Sequence, residues 1–324
     1  MRICIYGAGA IGAWLGAQMS LSGEDVTLIA RGPHLNAMKK NGIKVLINEQ
    51  EITAFPKCVQ DPRDAGPQDY VFISVKSYSL NEIIRNINYL FDKNTTVITG
   101  INGIPWWYFY KLKGPYENHN LKAIDPDGKI WKTIDPKRAI GCVVYPAAEI
   151  MSPGIIKHIE GDRFILGEPD GEKTDRVNIF CNALQKSGFT SRVRTNIRDD
   201  IWVKLWGNLC FNPISVLTQA TLDLVAGEEG TANICRLMMQ ESQEIGEKLG
   251  INFRVDIERR LRGGAEVGPH KTSMLQDLES KKPMEIDALI TSVKELGELV
   301  KVPTPTIDII LALIQQRARI AGTY

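Results

Sequence analysis

The sequence predicts an α/β domain built on a parallel sheet, followed by an all-helical domain, and three observations carry that prediction. Short apolar runs recur through the first half with helical stretches between them, the pattern of parallel strands buried on both faces. Glycines at positions 7, 9 and 12 separate the first run from the first helix. After residue 195 helical periods take over. A chain of 324 residues is long for one core, so two domains are expected, 1–195 and 196–324.

The elements follow in order. Ile3-Cys4-Ile5-Tyr6 reads as a strand, the stretch from Ala13 to Leu21 as a helix closing near Gly23, and Val26–Ala30 as a second strand. Strand, helix and strand fit within about thirty residues, the length of a βαβ crossover. A hairpin is expected from Ile43–Ile47 and Ile52–Phe55 around the turn Asn48-Glu49-Gln50-Glu51. Strands at 70–75 and 96–99 flank a helical stretch from Leu80 to Leu90. The runs Ala139–Tyr145, Gly154–Ile159 and Arg163–Gly167 read as further strands at the edge of the sheet, before a helix at 174–186 and a strand at 189–193. Helices are expected at 197–211, 231–249, 274–281, 284–299 and 306–319, punctuated by Pro213, Pro283, Pro303 and Pro305.

Composition excludes several classes of function. The formal net charge is +1, from 39 basic and 38 acidic residues, so bulk charge recruits neither nucleic acid nor an anionic membrane. Six scattered cysteines include no C-x-x-C pair and read as reduced thiols. No apolar run approaches the roughly 18 residues of a spanning helix, and no leader is evident. A cytoplasmic protein without a metal site is expected.

The run Gly7-Ala8-Gly9-Ala10-Ile11-Gly12 has the G-x-G-x-x-G spacing, and it follows a strand and opens a helix. In a Rossmann-type dinucleotide-binding domain the first glycine permits the bend, the second admits a diphosphate to the backbone, and the third lets helix and strand pack closely. The helix N-terminus then attracts the anion through its unpaired N–H groups. NAD-selective enzymes commonly carry an acid at the end of the second strand; here Ala30 and Arg31 stand there, and no carboxylate is expected near them to repel a phosphate. A guanidinium complements a 2′-phosphate, so NADPH/NADP+ is the expected cofactor. Lys76 and Asn102, at the ends of the next two strands, point to the same cofactor crevice, although a loop lysine can equally be a solvated one.

Lys204, Asn208 and Asn212 recur at i, i+4 and i+8, forming one stripe on a helix otherwise rich in apolar residues. Such a stripe either faces solvent or lines a ligand cleft between the domains. In the second case Lys204 is the candidate general acid, because carbonyl reduction needs a proton for the oxygen and a positive charge beside it. The four histidines, 34, 119, 158 and 270, form no comparable group.

These motifs, with Ser273-Met-Leu-Gln-Asp277 and Glu285-Ile-Asp, resemble the ketopantoate reductase (2-dehydropantoate 2-reductase) family over nearly the whole chain. The resemblance implies a Rossmann domain joined to a helical domain of the 6-phosphogluconate-dehydrogenase type. It also implies NADPH reduction of a small 2-oxo acid, 2-dehydropantoate, to pantoate, on the route to pantothenate and coenzyme A. Lys204 matches the catalytic lysine and Glu285 the acid that supports it; Asn102 matches a residue near nicotinamide and the reacting oxygen; Asn208, Asn212 and Ser273 match substrate contacts. Lys76 falls on the cofactor side, and a homodimer through the helical domain is compatible.

The chain departs from the family pattern in three places. Leu222 and His270 stand where some members carry substrate asparagines, and the 102–139 segment is long, with five consecutive aromatics at 106–110. Those aromatics could roof the substrate, form an interface or simply pack. Ser273 could be only a helix N-cap and Asp277 a solvated acid. The departures keep open a same-fold reductase of another 2-oxo or hydroxy acid. A non-catalytic NADP-binding sensor is the remaining alternative, and it predicts a dispensable Lys204.

Overall fold

The computed structural model describes residues 1–48 and 50–324; Glu49, in the expected hairpin turn, lies outside the described residues. Two compact units are present. The first comprises Met1–Ile101, Trp107–His119 and Gly128–Ile197; the second comprises Asn102–Trp106, Asn120–Asp127 and Arg198–Tyr324.

The first unit holds twelve described strands: β1 Arg2–Tyr6, β2 Asp25–Ile29, β3 Ile43–Ile47, β4 Gln50–Ala54, β5 Lys57–Val59, β6 Tyr70–Ile73, β7 Thr96–Thr99, β8 Ala139–Val144, β9 Ala147–Ser152, β10 Ile155–Glu160, β11 Arg163–Gly167 and β12 Thr190–Val193. Eight form one sheet in the order β12-β11-β8-β7-β6-β1-β2-β5, parallel throughout except where β11 runs against β8. Ile3 pairs with Val26 on one side and Tyr70 on the other, so the chain builds outward from β1 one way and then returns to build the other way. The carboxyl end of β1 is therefore the topological switch point, where ligands of open α/β sheets bind.

Helix α1, Ala10–Leu21, buries residues on nearly every face, because the eight-stranded sheet covers one side and a second sheet, ordered β4-β3-β10-β9, covers the other. That second sheet corrects the sequence expectation for 154–159. The segment does not extend the edge of the main sheet; β10 pairs in parallel with β3 of the hairpin and antiparallel with β9, a strand the sequence did not announce. The three half-exposed residues of β9 offer little apolar alternation to read. The second helix, α2 (Gly32–Asn41), has Pro33 in its first turn, as does the short α3 (Pro62–Ala65) with Pro62.

The expected helix at 80–90 is broken into a 3₁₀ turn at Ser77–Ser79, the short α4 (Leu80–Ile83) and another 3₁₀ turn at Ile87–Leu90. Serines 77 and 79 and asparagines 81, 86 and 88 favour turns over helix interior, which explains the fragmentation. After α5 (Lys129–Thr133), α6 (Asp175–Lys186) is capped by the Thr174 hydroxyl.

Four of the five aromatics at 106–110 resolve as packing. Trp106, Trp107, Tyr108 and Phe109 are all at most 4% exposed. Trp107 donates from Nε1 to Thr99 Oγ1 at 3.0 Å, and its ring lies where a Cβ on Gly141 would be, 2.8 Å away. In the second unit, the Glu295 carboxylate accepts the backbone N–H groups of Lys122 and Ala123 at 2.7 and 2.8 Å.

The second unit's helices are α7 (Ile197–Thr218), α8 (Leu222–Gly227), α9 (Glu229–Lys248), α10 (Ile257–Ala265), α11 (Ser273–Glu279), α12 (Ser292–Val300) and α13 (Pro305–Ala321). Pro213 does not end α7; the helix runs through it because residues 209–216 are all buried, and packing outweighs the missing N–H. The short α8 and α10 were not expected; Gly263 and Gly264 inside α10 mask it. The expected 284–299 helix opens instead with a π-helical turn at Asp287–Thr291. Among the described residues no helix is long and apolar enough to cross a membrane. All six cysteines are free and buried.

Trp107→Phe should remove the Nε1–H donor to Thr99 Oγ1, which keeps only its 3.5 Å bond to the Ile140 carbonyl, and leave space where the larger ring packed, costing about 1–3 kcal/mol. A urea titration would show a lower midpoint at unchanged slope.

Candidate active site

The glycine turn is set by backbone contacts. The Ile29 carbonyl accepts the N–H groups of Gly7 and Ala8 at 3.2 and 3.0 Å, tying the turn to the end of β2. Gly7 has φ +106°, a conformation that favours glycine. A Cβ on Gly12 would stand 2.1 Å from the Gly7 carbonyl oxygen and 2.4 Å from Ser74 Oγ. Ser74 itself donates to that carbonyl at 2.7 Å. Gly9 is the opposite case: it is exposed, and a Cβ there would meet no atom within 4 Å. It is also the α1 N-cap, with no side-chain cap and no acid in the first turn. Open space above uncapped N–H groups fits a dinucleotide diphosphate. Ser74 is a member of this arrangement that sequence spacing could not find, because it joins through the β1–β6 pairing.

Arg31 is the N-cap of α2 and is exposed. The expectation that no carboxylate stands near it needs correction: Arg31 Nη1 donates to Glu82 Oε1 at 2.9 Å, across 51 positions of sequence. Only the β1–β6 adjacency, which brings the turn after β6 beside the end of β2, makes that visible. Tyr6 lies in the same field; burial, together with the nearby Cys4, Glu82 and Asp61, pushes its phenol up to about 12, so it stays neutral. Lys76 is half-buried and caps the 3₁₀ turn that leads to Glu82.

In the second unit, Lys204 Nζ donates to Asn102 Oδ1 at 2.7 Å. Asn102 thus groups with α7, although the sequence placed it at a strand end of the first domain. Asn208 is half-buried on the next turn, and Asn212 is 5% exposed with Nδ2 lacking a hydrogen-bond partner. Trp202 and Trp206 fix the helix from the other side, Trp206 stacking on Phe253 at 4.3 Å and 7°. Glu285 is 5% exposed. Ser273 is not a cap: the Thr272 hydroxyl accepts from Leu275 N–H, and Ser273 is the exposed first residue of α11. Asp277 is buried, not solvated.

Two features escaped the sequence. Arg260 lies against the backbone of α7 one turn from Lys204: a Cβ on Gly207 would be 2.0 Å from Arg260 Nη2, and the guanidinium sits 5.4 Å from the Phe211 ring centroid. The only signal was a glycine inside an apolar helix. Leu222 and His270 are neighbours, the Leu222 N–H donating to the His270 carbonyl at 2.8 Å, so two departures from the family pattern fall at one place.

A glycine cradle at a switch point, and an ammonium held by an amide on a polar helix stripe, are the parts of a dinucleotide-dependent oxidoreductase. The comparisons agree. Residues 3–171 match the model of ketopantoate reductase PanE/ApbA, and residues 196–318 match its C-terminal model. A 2-dehydropantoate 2-reductase of Mesorhizobium japonicum is 49% identical over the full length of both chains. A crystal structure from Ralstonia solanacearum MolK2, provisionally named a ketopantoate reductase, superposes with TM-score 0.95 at 38% identity, covering 100% of this chain and 99% of that one. D-mandelate dehydrogenase with NADH and anilino(oxo)acetate shares the fold, with TM-score 0.85 at 20% identity, over 99% of this chain and 100% of that one. The chain belongs to the ketopantoate reductase family and is an oxidoreductase acting on a CH–OH group.

Gly12→Ala should drive its methyl into the Gly7 carbonyl and open the turn. Dinucleotide affinity measured by titration calorimetry should fall at least about tenfold, or about 1.4 kcal/mol.

Proposed function

We propose that this chain is a cytoplasmic 2-dehydropantoate 2-reductase that uses NADPH to convert ketopantoate to pantoate, on the route to pantothenate and coenzyme A. The observation that carries the proposal is the 2.7 Å bond from Lys204 Nζ to Asn102 Oδ1, on the helix face that also bears Asn208 and Asn212. The full-length relative of the same activity supports the substrate.

Bound NADPH supplies the hydride. Gly7 to Gly12 hold its diphosphate, with Lys76 and Asn102 contributing further along the cofactor. Lys204 delivers a proton to the ketone oxygen and stabilises the charge that develops there. Asn102 orients the ammonium, and Glu285 balances its charge. Asn208, Asn212 and Ser273 hold the substrate's carboxylate and hydroxyl. Leaving a buried amide donor such as Asn212 Nδ2 unpaired costs about 1–3 kcal/mol, which a ligand oxygen would offset. In this scheme residues 1–195 bind cofactor and 196–324 bind substrate.

Arg31 is assigned to the 2′-phosphate. Its bond to Glu82 joins side chains that are 76% and 60% exposed, a pair worth under about 1 kcal/mol, so a charge-assisted phosphate contact can replace it.

The adjacency of Leu222 and His270 favours one second reading, a same-fold reductase of a different 2-oxo acid, because both changes fall in one patch.

Lys204→Ala should lower kcat by about 10²–10⁴-fold while leaving NADPH affinity unchanged; full turnover would remove the lysine from catalysis. Arg31→Ala should weaken NADPH about tenfold and NADH hardly at all, in steady-state KM values for each cofactor. Initial rates across a panel of 2-oxo acids should peak at ketopantoate, and a better substrate would replace it.

A further inference from the structure

The loop that carries Asn102 is seated on an irregularity in another helix of the same unit. In an α-helix the Ala288 carbonyl would accept the N–H of Ser292. Here the π-turn at Asp287–Thr291 sends that N–H to the Asp287 carbonyl, five residues back. The Ala288 carbonyl accepts instead from the Ile104 N–H at 3.4 Å and from the Ser292 hydroxyl at 2.9 Å. Ile104 is 2% exposed, Ala288 3% and Ser292 0%, so water does not compete for these bonds.

Gly103 makes the approach possible. Its φ is +88°, and a Cβ there would stand 2.2 Å from the Ala288 oxygen. The turn is braced from its far side: the Asp287 carboxylate accepts from the Thr291 hydroxyl at 2.8 Å and from the Tyr324 hydroxyl at 3.1 Å. One residue before Gly103, Asn102 Oδ1 accepts from Lys204. A single connected path thus runs from the π-turn through the loop backbone to the ammonium. π-Turns inside helices are costly irregularities that tend to sit at functional places.

We propose that the Ala288 π-turn, Gly103 and Ser292 are positioning residues for Lys204: they fix the 102–104 loop, and through Asn102 they aim the proton donor. None of the three needs to touch the reacting atoms. The inference rests on the assignment of Lys204 as general acid. It predicts that disturbing the seat slows proton delivery without emptying the substrate site.

The test uses the full-length enzyme with NADPH and the best substrate of the panel, and it compares kcat, KM and the solvent deuterium isotope effect on kcat. Gly103→Ala should lower kcat about ten- to a hundredfold, change the substrate KM less than about threefold, and raise the isotope effect, because a misaimed proton donor makes proton transfer more rate-limiting. A merely unstable protein would lose kcat in proportion to its unfolded fraction, with an unchanged isotope effect. Adding Gly103→Ala to Asn102→Ala should cost little beyond Asn102→Ala alone, since both act along one path. Ser292→Ala removes only a hydroxyl and serves where Gly103→Ala fails to fold; it should shift kcat and the isotope effect in the same direction by a smaller amount.

Wild-type kcat and isotope effect in the folded variants would overturn the inference, as would full additivity with Asn102→Ala. Failure of the underlying assignment shows separately, as full turnover in Lys204→Ala.

Discussion

The first unit depends on one close approach of backbone to backbone. α1 can start where it does only because Gly12 brings no Cβ into the 2.1 Å gap before the Gly7 carbonyl. That contact sets how near α1 lies to β1, and Gly16 repeats it one turn later, where a Cβ would meet Leu28 at 2.6 Å. With α1 so close, Ile3, Ile5, Leu15 and Leu28 are completely buried together. The open space above Gly9 is the other result of the same turn, so the packing that stabilises the unit also leaves the α1 N-terminus uncovered.

The second unit rests on a different balance. α7 is buried along most of its length yet carries an ammonium and two amides in line. Lys204 finds Asn102, whereas Asn212 keeps an unpaired donor. Stability alone would favour removing that donor. The run of α7 straight through Pro213 shows the opposite balance, where packing of a buried segment outweighs a missing N–H.

Both Arg31 and Lys204 are held by residues distant in sequence from the motifs that announce them. Arg31 carries the positive charge, but Glu82 arrives from the turn after β6 to neutralise it. The Lys204 ammonium is held by Asn102, and the loop bearing Asn102 is held in turn by the Ala288 carbonyl. Trp106 to Phe109, of the aromatic run that sequence left open between roof, interface and core, are spent on packing.

Local chemistry by itself determined the α/β order, the glycine turn, most strand positions, the apolar helix with its polar stripe, and the capped start of α6 at Thr174. These follow from periodicity and from what glycine, proline and hydroxyl side chains do within a few residues. The separate four-stranded sheet, the fragmentation of 80–90, the seating of Asn102 with α7, the Arg31–Glu82 pair, the Arg260 contact at Gly207 and the π-turn were decided only by tertiary structure. The reason is common to all of them. Each depends on which distant segments share an edge or a face, and a strand's own alternation or a helix's own period says that a face will be buried without saying against what.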